Sequence, residues 1–420
     1  MNRKFISLLL IFAFVFSALA FAETVTIKFL HRWTQEPDRS FFEEVVKEFE
    51  KQNPNVKVEV QTVANDPFKE KIKVILGTKD APDVFFSWPG EFTNRFIRAG
   101  NILDITSYML KDGSMFDYVG SQLIPFIYDG ALYGLPYRLD GKVFVYNKEI
   151  FKEAGIDHPP ATIGEFMDDL EKLAALGMAP IAFGNIRPWA VSHYIAAVNQ
   201  KSVPEDIWEI DVDPAVGTWS DPGYVEALKI YSDLIPYFND YTNAISHDDA
   251  RAGFMQGQHA MMYVEIVEIP EIEREGPEGF LDKIGVFPFP ATDGPGNQSY
   301  LVGYPEGFVV SSNTKHPEEA VAFLKFLTGR EMGRLELEML GWFNGIKNLV
   351  SPEEVKPIIY ETTQLILDSN KMVNWLDSSL HAKIWSVYSV ELQKLTDQIT
   401  TPAKVMEEVQ KIASEVRKEF

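Results

Sequence analysis

The strongest constraint on the fold is a strand–helix–strand pattern near the N-terminus of the sequence. Apolar residues alternate with polar ones over 25–29 and again over 56–60, which predicts two strands. Between them, apolar residues recur at helical spacing over 41–49. Two strands joined by a helix favour a right-handed βαβ crossover. A buried strand is predicted soon afterwards at 83–86, so the chain opens as an α/β domain with a largely parallel sheet.

Two breaks rich in glycine and proline interrupt the rest of the pattern, at 129–136 and at 287–296. A strand is predicted after each break, at 143–146 and at 308–310. Helical periodicity covers most of the remainder: 68–76, 164–176, 188–199, 221–235, 248–257, 317–327 and the tail from 352 to the end. Breaks so far apart suggest that the chain passes more than once between two lobes. A ligand usually lies in the cleft beside such crossings.

Length and charge narrow the possible classes of protein. A chain of 420 residues is too long for one ordinary core, so two domains are expected. Acidic residues outnumber basic ones by 61 to 39, a net charge of −22, which argues against nucleic acid and anionic lipid as partners. The sequence has no cysteine, which removes disulfides, thiolate metal sites and a lipid-anchor cysteine.

Common cofactor and metal motifs are missing from the sequence. No glycine-rich loop matches a phosphate or dinucleotide fingerprint, and no pair of the seven histidines has zincin spacing. Asp211 and Asp213 resemble the start of a calcium loop, but Pro214 follows and no glutamate stands at the twelfth position. We therefore expect no cofactor and no metal site.

The N-terminus has the pattern of a cleaved export signal. Arg3 and Lys4 precede the apolar run 5–16, and small residues over 17–22 favour cleavage after Ala22. A membrane anchor is the alternative, but the run is short for a span of about 20 residues. Residues 1–22 are thus predicted to be a signal peptide, and the remainder a soluble periplasmic or extracellular protein.

Aromatic residues beside polar ones point to carbohydrate. Sugar C–H faces pack on aromatic rings, while carboxylates, arginine and amides bind the hydroxyl groups. Any single tryptophan can equally fill a core. Asp140 lies just past the first break, and Glu265 interrupts the apolar run 261–264, where a buried carboxylate needs a partner. Four tryptophans stand next to polar residues in predicted loops: Trp33, Trp88, Trp189 and Trp342.

Several segments resemble carbohydrate-binding proteins of bacterial ABC importers, the family to which maltose-binding proteins belong. They include VTIKFLHRW, APDVFFSWPGEF, DGALYGLPYRLDGKVFVYNKEIFKEAGI and HPEEAVAFLKFLTGRE, and the resemblance covers essentially all of 23–420. It implies a periplasmic-binding-protein fold: two α/β lobes, a hinge crossed three times and a ligand cleft between the lobes. The first lobe would comprise 23–132 and 284–337, and the second 133–283 and 338–420.

Carried over position by position, the resemblance also implies a set of ligand-binding residues. They are His31, Trp33, Glu36, Asn65, Asp66, Ser87, Trp88, Glu91, Tyr137, Asp140, Arg187, Trp189, Glu265, Gly303, Tyr304, Trp342, Trp375 and Trp385. Two departures put maltose itself in doubt: Arg187 replaces an acid, and Val267 stands where the relatives have a stacking aromatic. Arg187 would suit a hydroxyl pair or the carboxylate of an acidic sugar, or else form a salt bridge.

The resemblance implies a solute receptor of a transporter, which binds its ligand without catalysing a reaction. The protein would be a monomer that captures a mono- to oligosaccharide by lobe closure and delivers it to membrane-embedded ABC permease subunits. One alternative is a receptor of the same fold for another solute, such as an acidic sugar or a polyamine. A secreted glycoside hydrolase is the other, and it would need two carboxylates roughly 5 Å apart, or about 6.5–9.5 Å for inversion.

Overall fold

A computed structural model describes residues 24–367 and 371–420, so the predicted signal peptide at 1–22 lies outside the described residues. The strands are β1 (Val25–His31), β2 (Val56–Thr62), β3 (Val84–Ser87), β4 (Ile127–Tyr128), β5 (Ala131–Leu132), β6 (Gly134–Arg138), β7 (Lys142–Asn147), β8 (Ile181–Ala182), β9 (Met261–Glu265), β10 (Ile284–Phe287), β11 (Leu301–Val302), β12 (Glu306–Val310) and β13 (Met372–Val373).

The α-helices are α1 (Asp38–Gln52), α2 (Asn65–Ile75), α3 (Glu91–Arg98), α4 (Thr106–Lys111), α5 (Gly120–Leu123), α6 (Lys148–Glu153), α7 (Ile163–Ala174), α8 (Trp189–Ser202), α9 (Glu205–Asp211), α10 (Gly223–Leu234), α11 (His247–Met255), α12 (Ile269–Glu275), α13 (Phe280–Lys283), α14 (Pro317–Leu327), α15 (Arg330–Leu340), α16 (Pro357–Leu367), α17 (Leu376–Ser379), α18 (Ala382–Thr396) and α19 (Pro402–Val416).

The first sheet has the strand order β2-β1-β3-β12-β6. β1 is parallel to β2 and β3, as the strand–helix–strand pattern predicts, whereas β12 runs antiparallel to both β3 and β6. The connecting helix α1 buries Phe41, Phe42, Val45 and Phe49. It ends where the Asn53 backbone N–H donates to the Phe49 carbonyl.

The second sheet has the order β10-β7-β9-β8. β7 is antiparallel to β9 and β10, and β8 pairs parallel with β9. Helix α8 is buried along nearly its whole length, and it packs against α10 and α18. The two sheets with their own helices form the two α/β lobes that the sequence predicts.

The chain crosses between the sheets three times. Only residues 139–141 separate β6 of the first sheet from β7 of the second. The return runs from β10 to β12, and the last crossing follows α15. The predicted lobe limits at 132, 283 and 337 remain predictions. Because β6 pairs in the first sheet and β10 in the second, we propose that the first two crossings lie a few residues later than those limits.

The core of the first lobe is an aromatic cluster built on the strands. Phe29 lies 5.3 Å from Phe308, and Phe86 contacts Phe308 at 5.8 Å, both between ring centroids. Each fully buried phenylalanine contributes roughly 1.5–3 kcal/mol through the apolar area that it removes from water. This packing fixes the strand ends that carry the residues described below.

Most predicted elements are confirmed, and helix α14 has the predicted limits of 317 and 327. The expectation of an unbroken helical tail from 352 is wrong, because Met372–Val373 form a strand that pairs with Leu301–Val302. Such a short strand depends on a distant partner, which local periodicity cannot reveal. Over residues 24–367 and 371–420, no helix is both long and apolar enough to cross a bilayer.

Candidate functional site

A cavity of about 770 Å³ lies between the two lobes. The segments that follow β1 and β3, the N-terminal end of α2 and one end each of β6 and β12 form one wall. The start of α8, part of α11 and the segment from Glu265 to Glu275 form the other, with Trp375–Ser378 beside it. Strand ends and helix starts meet here because the chain passes between the sheets nearby, which is the usual place for a ligand site in α/β proteins.

Four tryptophans line the cavity, two on each side: Trp33, Trp88, Trp189 and Trp375. Phe86 holds the first two by edge contacts, at 4.9 Å from Trp33 and 4.6 Å from Trp88 between ring centroids. His193 lies 4.3 Å from Trp375 and 5.4 Å from Trp189. The rings are therefore fixed in position in the cavity lining, where Trp189 is half-buried and Trp33, Trp88 and Trp375 are buried with only an edge reaching the cavity.

Arginine and glutamate organise the first-lobe wall. Arg32 Nη2 donates to Glu306 Oε2 at 2.9 Å, and Arg138 Nε donates to the same oxygen at 2.8 Å. Burial opposes ionisation of Glu306, but the two guanidinium groups outweigh it and lower the pKa of Glu306 to about 2. The Arg138 guanidinium also lies 4.5 Å from the Trp342 ring, a cation–π contact.

Asp140 lies beneath this wall rather than on it. Its Oδ1 accepts from the Gly141 backbone N–H at 2.8 Å, while Oδ2 lies 3.9 Å from Arg138 and has no hydrogen-bond partner. Burial, followed by repulsion from Glu265, raises the pKa of Asp140 well above its usual value. The residue is 1 % exposed, so a ligand would have to displace its neighbours to contact the carboxylate.

Glu268 is the centre of the ionic network in the second-lobe wall. Its Oε2 accepts from Arg251 Nη1 at 2.9 Å and lies 2.8 Å from His247 Nε2, while its Oε1 lies 3.8 Å from Lys142 Nζ. Burial favours the neutral acid, but these three groups hold the pKa of Glu268 well below its usual value. Arg251 also pairs with Glu271 at 2.8 Å, yet burial raises the pKa of Glu271 to about 7.

His193 and Glu265 meet at the cavity surface. His193 Nδ1 lies 3.8 Å from Glu265 Oε1 and has no hydrogen-bond partner, although the residue is only 3 % exposed. Burial and, next, the nearby Lys142 charge lower the pKa of His193 well below its usual value, so the ring is neutral at neutral pH. The pair offers a carboxylate and an unpaired imidazole nitrogen to a ligand.

An ion pair joins the two walls. Lys69, on α2 of the first lobe, donates to Asp377 Oδ2 at 3.0 Å and lies 4.7 Å from the Trp88 ring. On the other side, Ser192 Oγ of α8 donates to Asp377 Oδ1 at 3.5 Å. Asp377 therefore connects side chains of both lobes at the edge of the cavity.

The structure brings seven of the predicted site residues together. Glu36 is half exposed at the rim, where it accepts from Ser40 Oγ at 2.6 Å and pairs with Arg39, while Asn65 begins α2. Glu265 ends β9. The seven residues that line the cavity are Trp33, Glu36, Asn65, Trp88, Trp189, Glu265 and Trp375.

Most of the other predicted residues lie under the walls. The ring of His31 stacks on Phe42 at 4.0 Å, inside the first-lobe core. Trp342 Nε1 donates to the Val267 carbonyl at 2.9 Å. Glu91 forms a two-point ion pair with Arg98. Those that are buried and do not line the cavity are His31, Ser87, Glu91, Tyr137, Asp140 and Trp342.

The remaining predicted residues lie elsewhere. Gly303 packs directly against Gly141, where a Cβ would come within 2.4 Å of the Gly141 backbone, and Tyr304 lines a separate cavity of about 160 Å³. Trp385 is half buried on α18, and Arg187 is exposed and does not line the large cavity. The side chain of Asp66 lies outside the described part of the structure.

The predicted set of site residues omits several charged residues of the cavity: Arg32, Asp38, Lys69, Arg138, His193, Arg251, Glu271, Glu306 and Asp377. Arg251 and His193 stand on helices whose apolar pattern gives no sign of a site. For Glu306 the sequence does contain an indication of burial, because this acid directly precedes the apolar stretch 307–310, which is wholly buried. Among the described residues, no group of three or more histidine and acidic side chains could hold a metal ion.

Comparison with known proteins gives consistent matches. A family model described as bacterial extracellular solute-binding protein matches residues 33–333, well over half of the chain. An uncharacterized ABC transporter extracellular-binding protein of Pyrococcus horikoshii is 26 % identical over 383 residues, covering 85 % of this chain and 82 % of the relative. A multiple sugar-binding protein of Streptococcus mutans is 25 % identical over 318 residues, covering 73 % and 71 %.

Solved structures match the whole fold. The structure of a chitin oligosaccharide binding protein superposes with a TM-score of 0.84 at 25 % sequence identity. The match covers 94 % of this chain and 99 % of that one. The two-lobed arrangement is therefore that of known solute-binding proteins.

Proposed function

The chain belongs to the bacterial extracellular solute-binding protein family, and from that premise we propose that it captures a saccharide between its lobes and delivers it to an ABC importer. The observation that carries the proposal is the cavity, in which four tryptophan rings stand among carboxylates, guanidinium groups and two amides. The names of the relatives support it, since they include a multiple sugar-binding protein and an ABC transporter extracellular-binding protein.

This combination of groups suits a sugar because the ligand has two kinds of surface. Its C–H faces pack on aromatic rings, and its hydroxyl groups both donate and accept hydrogen bonds. Trp33 and Trp88 supply rings from one lobe, and Trp189 and Trp375 supply them from the other side. The ligand-binding residues that we propose are these four tryptophans together with Glu36, Asn65 and Glu265.

Binding would act by changing the population of lobe arrangements. A ligand that touches both walls favours the arrangement in which the walls are close, since only that one provides all the contacts. The ion pair between Lys69 and Asp377 would assist the same closure. The closed receptor would then dock, as a monomer, on membrane-embedded permease subunits.

We propose that the protein performs no catalysis and works outside the cytoplasm after cleavage behind Ala22. In the glycoside hydrolase alternative, carboxylates of the cavity would catalyse hydrolysis of the sugar rather than bind it unchanged. Recovery of the bound sugar separates these functions, because a receptor returns its ligand intact.

The test is a thermal-shift and tryptophan-fluorescence titration of residues 23–420. The panel contains gluco-, galacto-, manno- and xylo-configured mono- and oligosaccharides, with polyamines alongside. A sugar that binds only the folded state stabilises it and so raises the melting temperature. At 100 times its dissociation constant, the sugar adds about 2.7 kcal/mol to the free energy of unfolding. A saturable response to a sugar that is recovered intact supports the proposal. No response to any sugar, or cleavage of the sugar, contradicts it.

A polyamine is the second candidate ligand, favoured by the charge of the cavity lining. The cavity is lined by nine acidic and five basic side chains among the described residues, so a cation would experience net attraction. Melting temperatures that rise with polyamines alone would establish this alternative.

A further inference from the structure

We infer that Glu265 sets the charge specificity of the cavity, so that it accepts neutral and amino-substituted sugars and rejects sugars that carry a carboxylate. This inference rests on the proposed function, that the cavity binds a saccharide. The sequence left an acidic sugar open as an alternative, because Arg187 would suit either a hydroxyl pair or a carboxylate, and this inference excludes that alternative.

The positive charges that line the cavity are already compensated by carboxylates. Arg32 and Arg138 share Glu306, Lys69 pairs with Asp377, and all three contacts are 3.0 Å or shorter. An anionic ligand would have to compete with these buried carboxylates for the same cations, at the cost of leaving a carboxylate unpaired.

The remaining two cations of the cavity lining, Arg251 and Arg274, also have partners within the protein. Arg251 pairs with Glu268 at 2.9 Å and with Glu271 at 2.8 Å. Arg274 donates to the Leu340 carbonyl at 3.0 Å. Burial raises the pKa of Asp38, and the Arg274 charge partly offsets that rise. Arg187, which in the sequence would suit a hydroxyl pair or a carboxylate, is exposed and does not line the cavity.

Glu265 is less compensated by positive charge than Glu268, Glu306 and Asp377 of the same lining. Its only charge-bearing partner within 4 Å among the described residues is His193, which is neutral at neutral pH. The carboxylate is 19 % exposed, in contrast to Glu268 and Glu306 at 7 % and 5 %. A carboxylate that no described lysine or arginine approaches within 4 Å therefore faces the ligand space, with the Arg138 guanidinium acting on it only from farther away. It lies next to an imidazole nitrogen that lacks a hydrogen-bond partner.

This geometry selects ligands by charge. A hydroxyl or ammonium group donates to the Glu265 carboxylate in a charge-assisted hydrogen bond. A uronate placed there meets a like charge inside a cavity whose lining already has four more acidic than basic side chains. Like charges that are brought together in a binding site cost several kcal/mol, which corresponds to roughly 100-fold or more in affinity.

The experiment compares matched sugars on the wild-type protein and two variants. The saccharide that binds in the screen is titrated against its uronic acid and its amino-sugar counterparts by calorimetry. Glu265→Gln removes the charge and keeps the size, and Glu226→Gln removes one exposed charge of the second lobe as the control. Thermal unfolding of each variant checks that it is folded.

For the wild-type protein we expect the uronic acid to bind at least ~100-fold more weakly than the neutral sugar. Glu265→Gln should reduce that ratio about tenfold and weaken the amino sugar, while Glu226→Gln changes neither. The wild-type ratio should also shrink as the salt concentration rises, a readout that needs no variant. A uronic acid that binds as tightly as the neutral sugar, or a ratio that Glu265→Gln leaves unchanged, would overturn the inference while the receptor function stands. Failure of every sugar to bind would overturn both.

Discussion

Arg138 and Glu306 form a buried ion pair with 2.8 Å between Nε and Oε2, and they are register partners on adjacent strands β6 and β12. Both side chains are about 5 % exposed or less. Strand β6 is the last segment of the first lobe before the crossing at 139–141, and Arg138 contacts the Trp33 and Trp342 rings as well. The pair thus connects the first sheet, the crossing and the cavity wall.

Replacing Arg138 by methionine should lower the free energy of unfolding by about 3–5 kcal/mol. The reason is that removal of one partner leaves Glu306 buried with only Arg32 to compensate it. Denaturant unfolding monitored by circular dichroism measures the change. Lys229→Met, which breaks an exposed pair with Glu226, is the matched control and should leave stability essentially unchanged. Equal stabilities for the two variants would show that the ion pair between Arg138 and Glu306 does not stabilise the fold.

Replacing Trp375 by alanine should weaken sugar binding by roughly 10- to 100-fold, because the ring forms part of the cavity lining and its loss would open a gap beside the ligand. Trp375→Phe should recover most of the loss, since it restores an aromatic plane. Calorimetric titration with the sugar found in the screen gives the dissociation constants. Trp385→Phe serves as the control: that ring lies on α18 away from the cavity lining, and its replacement should leave affinity unchanged. Unaltered affinity in Trp375→Ala would exclude this wall from the binding site.

His31 should make the protein sensitive to acid. Burial lowers the pKa of His31 to about 3, whereas the unfolded chain binds the proton near pH 6.5. The unfolded state therefore carries more protons between these values, and stability falls as the pH is lowered through this window. Between pH 8 and pH 5, His31 should lower the free energy of unfolding by about 2 kcal/mol.

The variant His31→Phe tests this contribution of His31 to the pH dependence of stability, because a phenyl ring preserves the stacking on Phe42 and does not titrate. Urea unfolding at pH 8 and pH 5 should show a smaller loss of stability in the variant than in the wild-type protein. Identical losses would mean that His31 keeps an ordinary pKa in the folded state. Sugar affinity at pH 8 should not change, since His31 does not line the cavity.

The ion pair between Lys69 and Asp377 should bias the ligand-free protein toward the closed arrangement. Lys69→Met removes the charge but keeps the length of the side chain, so the ligand-free variant should have the larger radius of gyration in small-angle scattering. Lys73→Met, on the same helix and paired with the exposed Glu70, is the control and should scatter like the wild-type protein. A Lys69→Met curve that superposes on the wild-type curve would show that the pair does not influence closure.

Much of the fold could be predicted because each step rests on local periodicity. The alternation in 25–29 and 56–60 and the helical spacing in 41–49 correspond to β1, β2 and α1. The antiparallel place of Glu306–Val310 between β3 and β6 was not accessible in this way. Its partners are more than 150 residues away, and a short buried run carries no information about them.

The site was predictable only in part, for a physical reason. Of the four tryptophans that stand beside polar residues in predicted loops, Trp33, Trp88 and Trp189 line the cavity, whereas Trp342 is buried beneath it. An aromatic ring in a predicted loop therefore marks the site in part. Charged residues carry no such mark, because the sequence does not reveal which carboxylate is buried. Asp140 and Glu265 have the same appearance in the sequence, yet one lies beneath the wall and the other faces the ligand space.

The central claim, that a sugar binds between the lobes and draws them together, is tested most directly by small-angle scattering during a sugar titration. The account predicts that the radius of gyration decreases and saturates at the dissociation constant found by calorimetry, and that the sugar is recovered intact. The double variant Trp189→Ala, Trp375→Ala should show no decrease at the same sugar concentrations. A radius that stays constant while the sugar binds would contradict the account, as would a decrease that survives loss of both rings.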